Sequence, residues 1–136
     1  MIRFTILGET ASKANSRRMV PRKTKGGRAY LASIKSQKAL NYVTAAVLQI
    51  PLDARQMLKG AVRVTMHVFY RSQRPDLDES VILDALQADM KKGVCLRPGV
   101  YVNDRQVREK HIFHCIDKAN PRAEIEVELL TAELPL

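Results

Sequence analysis

The sequence predicts a single α+β domain, with a mixed, mostly antiparallel sheet and two main helices packed on one of its faces. Three observations carry this. The length of 136 residues suits one domain with one core. Apolar residues make up 46% of the chain, an ordinary globular share that argues against global disorder. Stretches that alternate apolar and polar residues, as strands do, are interspersed with stretches that repeat every three or four residues, as helices do. Residues 1–136 show no internal repeat and no linker to a second domain.

Ile2, Phe4 and Ile6 alternate with Arg3 and Thr5, which predicts a strand with one buried face, ended by Gly8. Residues 9–29 are polar and basic, with Pro21 and the pair Gly26-Gly27, and read as a long loop or arm. Loops of such length in a compact domain are usually functional or disordered. Residues 31–50 carry Leu31, Ile34, Ala39, Tyr42, Val43, Ala46, Val47 and Ile50. The later spacings mark an amphipathic helix, with Ser33 as candidate N-cap and Pro51 as its stop. Val62, Val64, Met66 and Val68 alternate with Arg63, Thr65 and His67, a strand within 61–70.

RSQRPDLDES follows as a polar turn. Residues 79–91 then read as a second helix, with Val81, Leu83, Ala85, Leu86 and Met90 apolar, Asp78 placed to cap it and Gly93 at its end. VREKHIFHC reads as a strand. Glu124 to Leu129 alternates as a strand with its acids toward water. Residues 107–116 and 122–130 are expected to form an antiparallel hairpin around the Asn120-Pro121 turn.

The net charge of +9 is concentrated. Residues 1–38 hold ten of the 23 Lys and Arg but, of the acids, only Glu9, and the rest of the chain balances. Such a stretch attracts phosphate by Coulomb force and counterion release. A solubilising, partly disordered tail is the plainer reading. An anionic membrane surface fits less well, because the run has no amphipathic apolar face. Aromatics are only 5% and Trp is absent, which disfavours a surface of stacked bases. No apolar run approaches the roughly 20 residues of a membrane span. The N-terminus lacks the basic start and apolar stretch of a secretory signal. Cys95 and Cys115 form no CxxC pair, so reduced thiols and a cytoplasmic setting are expected. His111, His114 and Cys115 have no second ligand pair at zinc-site spacing. Residues 23–28 lack the P-loop pattern, although their glycines would let backbone approach a phosphate.

Asp76-Leu77-Asp78 is the sharpest local feature. In extended chain, residues two apart point the same way, so their carboxylates converge. Carboxylate oxygens suit Mg²⁺ or Mn²⁺. A third ligand has to come from elsewhere, and Asp104, in a turn between strands, is the candidate. A metal so held polarises a phosphodiester and generates hydroxide. Spacing leaves the alternative open: Asp76 shaping a turn after Pro75, Asp78 capping the helix, and Asp104 in a turn of its own. Asp84 lies six residues past Asp78, off its face of the helix. It either points toward the site or forms a surface salt bridge with Lys91.

RPDLDES followed by ILDAL, VNDRQV and a final EIEVEL strand, with the opening FTILGETASKANSRR, resembles the RusA family of Holliday junction resolvases, in order along nearly the whole chain. The resemblance implies a RusA-like fold and a symmetric homodimer that binds four-way DNA junctions and cuts two opposed strands with Mg²⁺. It implies Asp76, Asp78 and Asp104 as the catalytic, metal-holding triad, with Asp84 as a further catalytic carboxylate. Lys13, Arg17, Arg18, Arg22, Lys23, Lys25, Arg28, Arg71 and Arg74 would grip DNA phosphates. The family usually has Asn after the second Asp and a lysine four residues after it, where this chain has Glu79 and Ile82. Arg71, Arg74 and Lys110 are the cations at hand to replace that lysine. A junction-binding protein of the same fold that has lost cleavage is the second expectation.

Overall fold

The computed structural model describes residues 1–130. Its centre is a four-stranded sheet of β1 (Ile2–Leu7), β4 (Val62–Tyr70), β7 (Val107–Ile116) and β8 (Arg122–Leu129), in the spatial order β1-β8-β4-β7. β8 runs antiparallel to β1 and β4, and β7 runs parallel to β4. The expected hairpin between residues 107–116 and 122–130 does not form, because β4 lies between them. The short link 117–121 instead passes over the end of β4, where the Asp117 amide donates to the Tyr70 carbonyl at 2.9 Å. The architecture is the expected mixed, mostly antiparallel α+β domain.

Alternation decides the layers. Ile2, Ile6, Val62, Val64, Met66, Val68, Ala123, Ile125 and Val127 all point to one face and are buried. Two helices cover it. Helix α1 (Gln37–Gln49) presents Ala39, Tyr42, Ala46 and Val47, and α2 (Ser80–Leu86) presents Val81, Ile82, Leu83, Ala85 and Leu86, all in one core cluster. The opposite sheet face carries a ladder of ion pairs. Arg63 bridges Glu109 at 3.0 Å and Glu128 at 2.7 Å, and Arg122 bridges Asp117 at 2.7 Å while lying over the Phe69 ring.

Three boundaries differ from the sequence expectation. The arm is not a bare loop: β2 (Arg17–Lys23) and β3 (Ala29–Lys35) pair as an antiparallel hairpin. Leu31 and Ile34 therefore belong to a strand. Helix α1 starts after Ser36, not Ser33, and the Ser36 hydroxyl accepts from the Ala39 amide at 3.1 Å. Helix α2 ends at Leu86, and Met90 lies in a second small hairpin of β5 (Asp89–Lys91) and β6 (Val94–Arg97). Among the described residues, no helix is long and apolar enough to cross a membrane.

Candidate nucleic-acid interface

The turn after β4 carries the first carboxylates. Tyr70 ends the strand, fully buried, and its hydroxyl accepts the Asp78 amide at 3.4 Å. Burial pushes the Tyr70 phenol up to about 12. His114 of β7 stacks on the Tyr70 ring at 5.0 Å, and its Nε2 lies 3.0 Å from the Pro75 carbonyl. These contacts fold the turn back over the helix-side face of β7. Lys110, from the same face, reaches Glu79 at 3.6 Å.

Asp78 is buried, and both its oxygens are engaged. Oδ2 accepts from the Ser16 hydroxyl, and Oδ1 accepts from the Ser80 amide at 3.0 Å and from the Ser80 hydroxyl. A buried carboxylate needs such donors to offset its lost hydration. The Ser80 amide opens α2, so Asp78 takes one of the helix's unsatisfied first donors. Asp76 is exposed, and its backbone carbonyl accepts the Lys13 amide at 3.1 Å. Asp84 is half-buried and ion-paired with Lys35 of β3, not with Lys91.

Asp104 is exposed at the start of a 3-10 turn, Asp104–Gln106. Asn103 caps that turn by accepting the Arg105 amide at 2.8 Å, while the Gln106 side chain accepts the Asn103 amide at 2.9 Å. The Gln87 side chain accepts the Asp104 amide at 2.9 Å. Beneath it the Tyr101 hydroxyl donates to the Leu83 carbonyl at 2.8 Å. Burial, and then the charges of Asp104 and Asp84, raise the Tyr101 phenol well above its ordinary range.

Among the described residues, no three of His, Cys, Asp and Glu gather where they could hold one metal ion. Asp76, Asp78 and Asp104 offer the hard oxygens that Mg²⁺ takes. The three do not gather at one point, and Asp78 already shares its oxygens with Ser16 and Ser80. His111 and Cys115 lie on the open sheet face, and His114 lies on the other, as alternation dictates.

The basic residues are brought together. Arg17, Arg18, Arg22, Lys23, Lys25 and Arg28 are all exposed along the β2–β3 hairpin, and Lys13 lies just before its root. No acidic residue occurs between Glu9 and Asp53. Arg17 stands directly across the ladder from Lys35. Lys35 is neutralised by Asp84, and Arg17 enters no ion pair among the described residues. Arg71 and Arg74 lie on the turn beside Asp76, and the Arg71 amide donates to Glu9 at 2.8 Å.

Ser16, Lys35, Tyr70 and Tyr101 are the site residues that sequence reasoning missed. Lys35 was visible only as one charge among ten. The others gave no signal, because their roles depend on partners far along the chain. No protein-family model matches the chain, and no curated protein matches it.

Proposed function

We propose that the chain is a structure-selective endonuclease of the RusA type, acting on four-way DNA junctions as a homodimer in the cytoplasm. One observation carries this reading. The root of the acid-free hairpin is tied in succession to the three aspartates of the 76–84 segment. The Lys13 amide bonds the Asp76 carbonyl, the Ser16 hydroxyl bonds Asp78, and the Lys35 ammonium bonds Asp84. A DNA backbone gripped by the hairpin therefore runs alongside the carboxylates. Phosphate contacts give position without base reading, which suits an enzyme selective for shape. Two copies related by a twofold axis would offer equivalent sites for two opposed cuts.

The residues divide by what they have free. Asp76 and Asp104, both exposed, keep their carboxylate oxygens open to solvent and ligands. Asp78 acts as a positioning residue that joins arm to helix. The hairpin cations and Arg71 and Arg74 bind phosphate. The engagement of Asp78 favours a second reading, a junction-binding protein of this fold without cleavage. A synthetic four-way junction incubated with Mg²⁺ or Mn²⁺ separates the two. Cleavage that Asp76→Asn abolishes while binding persists supports the nuclease, and cleavage unchanged in that variant rules out the role given to Asp76. Salt-sensitive binding without nicking at any metal concentration supports the second reading.

A further inference from the structure

A cavity of about 360 Å³ opens at the root of the hairpin, and neither the fold nor the carboxylate contacts account for its lining. Lys38 and Arg74 face it from α1 and from the turn after β4, and Asp76, Asn15, Ser12 and Glu9 complete its polar wall. Its volume lies at the low end of pockets that hold small organic ligands.

The lining is poorly satisfied from within. Among the described residues, the side chains of Lys38, Arg74 and Asp76 enter no ion pair, although all three line this one space. Among the described residues, the Asn15 side chain donates only to the Ser12 hydroxyl, at 3.1 Å, and its carbonyl oxygen has no donor. Two cations, the open Asp76 carboxylate, an amide oxygen and Glu9, which accepts the Arg71 amide, call for an occupant that is anionic at one end and a hydrogen-bond donor at the other. Among the described residues, no aromatic ring lines the cavity, so a planar group there is held by its edge and not by stacking.

We propose that this cavity seats one unpaired nucleotide, with its phosphate on Lys38 and Arg74 and its base edge on Asn15 and Asp76. The two cations make charge-assisted hydrogen bonds to the phosphate oxygens. The amide oxygen and the carboxylate accept from the two N–H donors of the base's exocyclic amino group. The nucleotide would come from a branch point, where stacking is interrupted and a base costs less to take out than one within a continuous duplex, least of all where it is already unpaired. Selectivity for branched over continuous DNA follows. The identification of the ligand as a DNA nucleotide rests on the reading of the chain as a junction-handling protein.

The test uses the full chain and nuclear magnetic resonance titration with deoxyadenosine monophosphate, deoxyadenosine and inorganic phosphate. Saturable shifts are expected with the monophosphate, and binding at least tenfold weaker with the nucleoside or phosphate alone. Lys38→Ala and Arg74→Ala, both at exposed positions, each weaken monophosphate binding about tenfold. Arg22→Ala with Lys23→Ala leaves it unchanged while weakening junction binding, so the cavity and the DNA reading fail separately. No saturable monophosphate binding, equal binding of phosphate alone, or equal loss in the hairpin variant overturns the proposal. A junction with an unpaired nucleotide at its centre, bound more tightly than a fully paired one only when Lys38 and Arg74 are intact, ties the cavity to the DNA strand. Indifference to those two residues confines it to free nucleotides and overturns the strand assignment.

Discussion

Ser16 and Asp78, 62 residues apart in sequence, meet through a buried hydrogen bond that fastens the root of the basic hairpin to the first turn of α2. Ser80 supplies both donors to the other Asp78 oxygen. Ser16→Ala removes the only donor to Oδ2 among the described residues and leaves that oxygen in a space too enclosed for easy hydration. The expected cost is about 2 kcal/mol, the range for a hydrogen bond to a charged group. Urea unfolding should show a lower midpoint at unchanged slope. Ser16→Thr, which keeps the hydroxyl, should recover most of the loss. A midpoint unaffected by Ser16→Ala would remove Asp78 from the role of joining arm to helix.

The elements that could be read from sequence are those with one buried face. Val62, Val64, Met66 and Val68 alternate because one side of β4 meets the helices, and the same holds for β1 and β8. The β2–β3 hairpin has no such side. Residues 21–31 are exposed throughout, so burial imposes no pattern on them, and the ladder rests on backbone bonds that leave no trace in residue type. Leu31 and Ile34 happened to extend the helical spacing of α1 backward. At the site, the carboxylates were legible by type and spacing. Which of their oxygens stay free was not, because Ser16 and Lys35 decide that from far along the chain.

Gly99 marks where the chain returns against the end of α2. The Val100 amide donates to the Leu86 carbonyl at 2.8 Å, and the Ala88 amide donates to the Tyr101 carbonyl at 3.0 Å. A Cβ on Gly99 would lie 2.4 Å from the Ala88 nitrogen and 2.6 Å from the Leu86 oxygen. Both are backbone atoms and cannot swing aside. Gly99→Ala is expected to cost about 3 kcal/mol, the upper end of overpacking penalties. Gly93→Ala, in open space at φ +78°, is expected to cost only about 1 kcal/mol. Urea midpoints of the two variants compare them directly, and equal losses would contradict the close approach.

The open sheet face sets the acid limb of stability. The Arg63 guanidinium, by hydrogen bonding first, holds the Glu109 carboxyl below its usual range, and Arg122 does the same for Asp117. A carboxyl depressed in the folded state contributes stability that is present above its unfolded value. That contribution is lost as pH falls through the folded one. Stability should therefore decline as pH drops below about 4. Because these pairs are open to solvent, the decline should be modest and should shrink in high salt. Arg63→Met should make the acid limb shallower with little change at neutral pH, since the Arg63 Nε is buried without a partner among the described residues. Urea midpoints across the acid range check this, and a limb as steep as the parent's would place the pH sensitivity elsewhere.

The hairpin gives the most direct measure of DNA contact. Arg22 and Lys23 lie near its tip, exposed, and Arg22 stands across from Tyr30. Their removal should leave folding intact, since neither side chain touches the core cluster. Each phosphate contact on a duplex adds about 0.9 to the steepness with which log affinity falls against log salt. Arg22→Ala combined with Lys23→Ala should therefore flatten that slope by nearly 2 on a junction or a plain duplex arm. The loss should be similar across base sequences, because contacts to phosphate carry no sequence information. Met19→Ser, on the same hairpin and exposed, alters no charge and should leave the slope alone. Junction-binding isotherms across a range of salt concentrations measure all three chains. A slope unmoved by the double variant would mean that the arm's charge serves solubility and that the DNA backbone lies elsewhere on the molecule.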